Sequence, residues 1–303
     1  MSEEGTFRCG FVSVVGRPNA GKSLLVNALV AEKVSIVTSA PQTTRNRILG
    51  VVNRPQAQLV LVDTPGIHKP LSRMNQQMMQ FVRQALQERD LVLFLVDASV
   101  DFGKGDEFAV ELLRQYRVKA LLALNKIDLI RKTRLLPLMD RYAKLYDFEE
   151  IIPLSALTGE GLEDLMEAVI SRLPVSAPLF PPDIYTDQPE RFLAAEMIRE
   201  KVILHTREEL PYATAVRIED LEEAEQLTRI RATIVVEKNS QKPIVIGAEG
   251  SRIKQIGIEA RRDLERLFPP HVFLDLHVRV EPQWRNKAAA VAALDYRGDA
   301  NQQ

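Results

Sequence analysis

Gly16-Arg-Pro-Asn-Ala-Gly21-Lys22-Ser23 follows the apolar run Phe11 to Val15 and precedes a stretch of helical pattern opening near Lys22. The context decides the fold as much as the letters do. A glycine-bearing loop between a strand and a helix lets backbone N–H groups converge on a phosphate, and the helix N-terminus adds its positive dipole end. Gly16, Asn19, Ala20 and Gly21 would form the cradle. Lys22 would reach the β- and γ-phosphates, and the Ser23 hydroxyl would bind Mg²⁺.

Outward from this loop, short β-rich runs alternate with amphipathic stretches as far as about Pro174. Phe11 to Val15, Ala57 to Val62, Leu91 to Val96, Lys119 to Leu124 and Ile151 to Leu154 read as strands. Such alternation predicts an α/β fold with a mostly parallel sheet covered by helices on both faces. Arg47 to Val52 is the exception. Only Asn53 to Gln56 separates it from the next strand, too few residues for a crossover helix, so that pair is expected to be antiparallel. Pro174, Pro178, Pro181, Pro182 and Pro189 then read as an extended linker. Beyond it the order changes to a helix (191–209), strands over 213–218 and 228–236, a Gly-containing turn, a basic helix (251–268), a strand (272–280) and a frayed Ala-rich tail from Lys287. The expected division is residues 1–176, a linker over 177–189, and 190–303.

Three further motifs stand at strand ends. Asp63-Thr-Pro-Gly66 follows Val62: a carboxylate there can hold Mg²⁺ through a water, and Gly66 N–H can approach a γ-phosphate because no side chain blocks it. Asn125-Lys126-Ile127-Asp128 selects the base. Guanine carries N1–H and a 2-amino group side by side, and the Asp128 carboxylate can accept from both, whereas adenine would leave it unpaired. Asn125 would tie the loops together and touch the base, and the Lys126 stem would cover the base face. In Ser155-Ala156-Leu157, Ala156 N–H would donate to guanine O6. Four motifs in this order imply GTP and GDP as ligands and GTP hydrolysis as the activity; an ATP-dependent enzyme is disfavoured by Asp128. Between the first and second motifs, Thr38 to Arg45 must supply a threonine to Mg²⁺ and the γ-phosphate. Thr44 is the first choice and Thr43 the second, which makes Ser23, Thr44 and Asp63 the metal set.

Where many such enzymes place a water-orienting Gln after Asp-x-x-Gly, this chain has Ile67, which cannot hydrogen-bond. His68 is more simply read as a solvated loop residue than as a base. Lys22, Thr44, Gly66 and Asn19 remain as the catalytic set, with slow intrinsic turnover on the order of 10⁻³ s⁻¹. The Asn19 amide oxygen is a candidate ligand for a monovalent cation, K⁺, between the β- and γ-phosphates; the alternative is a hydrogen bond within the loop. Lys and Arg number 40 against 41 Asp and Glu, so whole-chain charge does not point to nucleic acid. Cys9 is the only cysteine, which excludes an internal disulfide. The N-terminal stretch carries Glu3, Glu4 and Arg8 and no apolar core of a signal peptide, so a cytosolic protein is expected.

The first motif, together with Pro41-Gln-Thr-Thr-Arg45, Asp63-Thr-Pro-Gly-Ile-His68, Asn125-Lys-Ile-Asp128, Ser155-Ala-Leu157 and the Pro-rich stretch, resembles the Era GTPases over nearly the whole chain. The resemblance implies a Ras-like P-loop GTPase domain, its sheet mostly parallel with one antiparallel strand, followed by a smaller α+β domain of KH type II. It implies binding to the 3′ end region of 16S ribosomal RNA and a role in assembly and maturation of the small ribosomal subunit. It also implies peripheral association with the inner face of the membrane. A monomer is expected. On this reading Gly247-Ala248-Glu249-Gly250, between a strand-like run and the basic helix, would hold single-stranded RNA close to its backbone. Arg252 and Lys254 would add charge. Trp284 and Arg285 would offer stacking and a cation, although Trp284 packing the domain edge is an equal alternative. Glu249 departs from the basic residue common in such loops and would repel phosphate. A protein-interaction module is the alternative for this second half.

Overall fold

The computed structural model describes residues 6–70, 72–268 and 270–294. The chain divides into two compact units. One holds the residues up to Ser35, then 44–70 and 75–187; the other takes 36–43, a short stretch just before Asn75, and the chain from Gln188 on.

The first unit runs β1 (Arg8–Gly16), α1 (Lys22–Val30), β2 (Ile48–Arg54), β3 (Ala57–Asp63), α2 (Arg73–Gln87), β4 (Leu91–Asp97), α3 (Lys104–Tyr116), β5 (Ala120–Asn125), α4 (Leu135–Leu145), β6 (Glu150–Pro153) and α5 (Leu162–Arg172). The strands form one six-stranded sheet in the order β2-β3-β1-β4-β5-β6. The β2–β3 pair is antiparallel, with Arg54 opposite Ala57, and the other pairs are parallel. Near-continuous burial of Leu91 to Val96 and Ala120 to Leu124 shows both faces covered, as parallel strands require. On one face, Val92, Phe94, Val96, Leu122 and Leu124 pack with Val82 and Leu86 of α2, Leu113 of α3 and Tyr142 of α4. Their burial removes the apolar surface that drives the fold.

The Pro-rich stretch is not a free linker. Gln58, 1% exposed, accepts the N–H groups of Leu179 and Phe180 on one side-chain oxygen at 2.7 and 2.9 Å and donates to the Phe180 carbonyl at 2.8 Å. Phe180 packs against the buried cluster of Leu49, Val60, Val62 and Ala85. Val51 N–H donates to the Tyr185 carbonyl at 2.9 Å and Thr186 Oγ1 to the Leu49 carbonyl at 2.7 Å. The segment is a strap along β2. It turns once, where Ile184 N–H donates to the Pro181 carbonyl at 3.2 Å, and a buried glutamine on β3 fixes its place.

The second unit contains α6 (Glu190–Leu204), α7 (Leu210–Ala213), β7 (Ala215–Ala224), β8 (Leu227–Val236), α8 (Gln241–Ile246), α9 (Ser251–Leu267), β9 (Val272–Val280) and α10 (Ala288–Ala292). Its sheet is ordered β7-β8-β9, antiparallel then parallel. A parallel pair needs a crossover, and α8 and α9 supply it. Ile256, Ala260 and Leu264 of α9 are buried on the stripe spacing of an amphipathic helix, whereas α6 is buried nearly all round, from Phe192 to Ile203. The strand-like run before Gly247 is in fact α8. The tail beyond Leu294 lies outside the described residues.

Candidate nucleotide site and Gly-x-x-Gly turn

β1 delivers the phosphate loop and α1 begins at Lys22, capped by Gly21 at φ 95°. A Cβ on Gly21 would stand 2.4 Å from Asn125 Nδ2, so this position needs glycine for both conformation and space. Lys22 is 5% exposed; its Nζ donates to the carbonyls of Gly16 at 3.2 Å and Arg17 at 3.0 Å. Burial lowers its pKa to about 8, against the pull of the nearby Asp63 charge.

Ser23, Thr44 and Asp63 meet in one place. Ser23 Oγ donates to Asp63 Oδ2 at 2.7 Å and lies 2.8 Å from Thr44 Oγ1, which is itself 3.5 Å from Asp63 Oδ2. Asp63 is fully buried, which pushes its carboxyl up, with the Lys22 charge opposing. Its Oδ1 is buried without a hydrogen-bond partner. A buried carboxylate with one unanswered oxygen and two hydroxyls beside it is a hard-oxygen donor set that fits Mg²⁺. Thr43 is elsewhere: its hydroxyl lies 2.6 Å from Thr38 Oγ1 and donates to the Ala40 carbonyl at 2.7 Å.

The loop after Asp63 presses on the phosphate loop. A Cβ on Gly66 would sit 2.6 Å from Pro18 N, and Ile67 N–H donates to the Gly16 carbonyl at 2.9 Å. The Ile67 side chain, 2% exposed, belongs to the core cluster with Val15 and Met79, so it faces no attacking water. His68 is not the solvated residue expected: Nδ1 lies 2.6 Å from the Gly66 carbonyl and Nε2 is buried without a partner. Asn19 is exposed in the left-handed region at φ 64°, which asparagine tolerates.

Asn125 does tie loops together. Its Nδ2 donates to the Ala20 carbonyl at 2.8 Å, and its Oδ1 accepts from Ala156 N–H at 2.9 Å, the group expected to face guanine O6. Lys126 is left-handed at φ 66° and its Nζ lies 2.5 Å from Asp97 Oδ2. Asp128 is exposed on the 3-10 turn Ile127–Leu129. Ser155 is buried and its Oγ accepts from Thr158 N–H at 3.2 Å, while Leu157 is exposed. Asp97, which orients Lys126, escaped the sequence reading; its only signal was a carboxylate at a strand end.

In the second unit, Gly247 to Gly250 turn between α8 and α9. Gly247 and Gly250 have φ of 76° and 77°, and Glu249 joins them at 50°. A Cβ on Gly247 would stand 2.8 Å from Arg252 N, so backbone packs on backbone here. Ala248, Glu249 and Lys254 are exposed, while the Arg252 guanidinium donates to the Ile244 carbonyl. Trp284 corrects the stacking expectation. It is 0% exposed, and its Nε1 donates to the Ala213 carbonyl at 2.9 Å, because a buried indole needs a partner for its N–H and α7 ends beside it. Arg285 is paired with Glu237 at 2.5 Å.

The depressed Lys22 pKa makes a pH effect measurable. A bound polyphosphate favours the ammonium form, so the complex holds more protons than the free protein above pH 8. Nucleotide affinity is expected to fall as pH rises through 8, by up to about tenfold per unit. Titration between pH 7 and 9.5, with proton uptake read by calorimetry in two buffers, checks this; constant affinity would contradict it.

Two family models match the chain: 50S ribosome-binding GTPase over residues 11–126 and KH domain over 209–285. GTPase Era of Ruminiclostridium cellulolyticum is 43% identical over 297 residues, covering 98% of this chain and 100% of that one. GTPase Era of Syntrophus aciditrophicus is 48% identical over 292 residues, 96% and 95% of the two chains. A crystal structure of Era with MgGDPNP and nucleotides 1506–1542 of 16S ribosomal RNA superposes with a TM-score of 0.91 at 39% identity, over 96% of this chain and 99% of that one. Aquifex aeolicus Era bound to GDP and AlF4⁻ gives 0.92 at 38%, with the same coverage. A Ras-like GTPase unit and a KH unit joined in one chain, with identity sustained from end to end, place this protein in the Era family of GTPases.

Proposed function

We infer that this protein is a guanine-nucleotide switch that binds and hydrolyses GTP with Mg²⁺ and holds the 3′ end region of 16S ribosomal RNA during small-subunit assembly. The observation that carries the reading is the oxygen cluster of Ser23, Thr44 and Asp63 beside buried Lys22, in a chain that also presents a Gly-x-x-Gly turn between two helices. The Era–RNA complex supports the choice of RNA. Hydrolysis forms a bond from water oxygen to the γ-phosphorus and breaks the bond to the β-phosphate oxygen, the proton leaving with phosphate. Lys22 and the phosphate-loop N–H groups meet the charge that moves to the leaving oxygen. Mg²⁺ would be held by Ser23, Thr44 and Asp63 and would neutralise the same oxygens. No side chain in the position of Ile67 orients the water, which fits slow turnover. K⁺ at Asn19 would supply a further positive charge; equal turnover in K⁺ and Na⁺ would remove that ion. No helix among the described residues is long and apolar enough to cross a membrane. A cytoplasmic site of action follows from the RNA partner, and peripheral membrane contact rests on the resemblance alone.

The test is RNA affinity. Changing Ala248 and Glu249 together to Asp keeps both turn glycines and adds phosphate repulsion. Affinity for a 16S 3′-end fragment is expected to fall about tenfold or more, with GTP affinity unchanged. Lys254→Ala is expected to weaken binding mildly and reduce the salt slope by about one. RNA binding that survives the Asp pair would sink the assignment of the turn.

A further inference from the structure

Apart from the residues expected to touch nucleotide, an ion pair with a buried carboxylate joins the phosphate loop to the helix beside it. Arg17, second residue of the loop, places Nη1 2.7 Å from Oδ2 of Asp106 in the first turn of α3. Asp106 is 3% exposed. The same oxygen accepts Gly103 N–H at 2.9 Å, and the buried Tyr142 of α4 hydrogen-bonds to the carboxylate as well. The guanidinium lies across Gly105 so closely that a Cβ there would stand 2.6 Å from Arg17 Nε. The Arg17 carbonyl meanwhile accepts Lys22 Nζ. One residue thus holds the phosphate lysine through its backbone and a buried carboxylate through its side chain.

A carboxylate committed to a helix N-terminus, a tyrosine and an arginine cannot shift without leaving buried groups unpaired. Within the loop Ala20 N–H reaches the Arg17 carbonyl only at 3.4 Å, and Asn19 is left-handed. Without an external anchor it would have to be ordered by each incoming phosphate, at a cost in affinity. The segment from β4 to α3 carries anchors at both ends, since Asp97 holds Lys126 of the base loop.

We propose that Asp106 is a positioning residue for nucleotide retention, holding the phosphate loop through Arg17 in its phosphate-binding form. This rests on the nucleotide reading above. Breaking the pair speeds release of GDP and GTP and leaves base choice alone, because Asp128 is untouched.

The experiment is release of a fluorescent GDP from the full-length protein. Asp106→Asn and Arg17→Met are each expected to release it about 10-fold faster, and the double variant no faster than either. Arg17→Lys, which keeps the charge, is expected to restore most of the retention. Gly105→Ala keeps both charges and favours the helix, yet displaces the guanidinium, and is expected to act like Arg17→Met. The preference for GTP over xanthosine triphosphate stays fixed throughout. Release within twofold of wild type in Arg17→Met, effects that multiply in the double variant, or Arg17→Lys behaving as Arg17→Met would each overturn the proposal. Arg17 is partly exposed, so its variants carry the test even where Asp106→Asn fails to fold. A wild-type protein that does not retain GDP would instead overturn the nucleotide reading.

Discussion

Asp128→Asn is expected to lower GTP affinity by about 10³-fold and to make xanthosine triphosphate the preferred ligand. Asp128 stands exposed on a short turn whose entry is fixed by left-handed Lys126, itself held by Asp97. The carboxylate is therefore presented by a braced loop, free to accept two N–H groups from guanine. An amide there keeps the size and reverses half of the hydrogen-bonding sense: its NH₂ can donate to the 2-oxo group of xanthine but faces the 2-amino group of guanine donor to donor. Neighbouring Asn125 is spent on Ala20 and Ala156 and cannot take over the role. Competition between GTP and xanthosine triphosphate for wild type and variant decides the matter. Equal use of the two by both proteins would remove Asp128 as the base reader.

Gly66→Ala is expected to reduce GTP turnover about 100-fold while GDP binding changes only a few-fold. The added Cβ would stand 2.6 Å from Pro18 N and 2.7 Å from Pro18 Cα. Those are backbone atoms, so no rotamer change relieves the clash and one of the two loops must move. The phosphate loop is pinned by Arg17 on Asp106 and by Ala20 on Asn125. The loop from Thr64 to His68 therefore yields, carrying the Gly66 N–H away from the γ-phosphate position. GDP has no γ-phosphate and loses little. Single-turnover phosphate release and GDP dissociation separate the two effects, and near-normal phosphate release would mean that Gly66 does not approach the γ-phosphate.

The motifs could be located in the chain because each follows a strand, and three of the four strands are buried. Apolar runs such as Leu91 to Val96 declare themselves, and a parallel sheet brings their C-terminal ends to one edge. The antiparallel β2–β3 pair followed from the short gap at Asn53 to Gln56. Other features depended on distant partners. Pro243-Ile-Val-Ile246 is a short apolar run, whose period cannot separate strand from helix; it became α8. Trp284 could have faced a base or the interior, and only the Ala213 carbonyl decided it. Asp97 and Asp106 were isolated carboxylates among 41 acidic residues until folding set them against Lys126 and Arg17. The prolines marked where regular structure breaks off, but nothing local marked buried Gln58 as the fastening point of that segment.

That strap has a consequence for solubility. β2 is an outer strand of its sheet, and Ile48-Leu-Gly-Val-Val52 is uncharged and strongly β-forming. Left open, its free N–H and C=O groups would invite another chain to pair, the first step of amyloid-like growth. The Pro-rich segment occupies that side, taking Val51 N–H at the Tyr185 carbonyl and meeting the Leu49 carbonyl with Thr186. Pro181 and Pro182 have no N–H to offer onward, so the segment caps the sheet without extending it. The opposite edge needs less cover, since β6 is four residues long and ends on Pro153. A sheet covered by a proline-bearing segment on one side and kept short on the other offers a poorer template for edge-to-edge pairing.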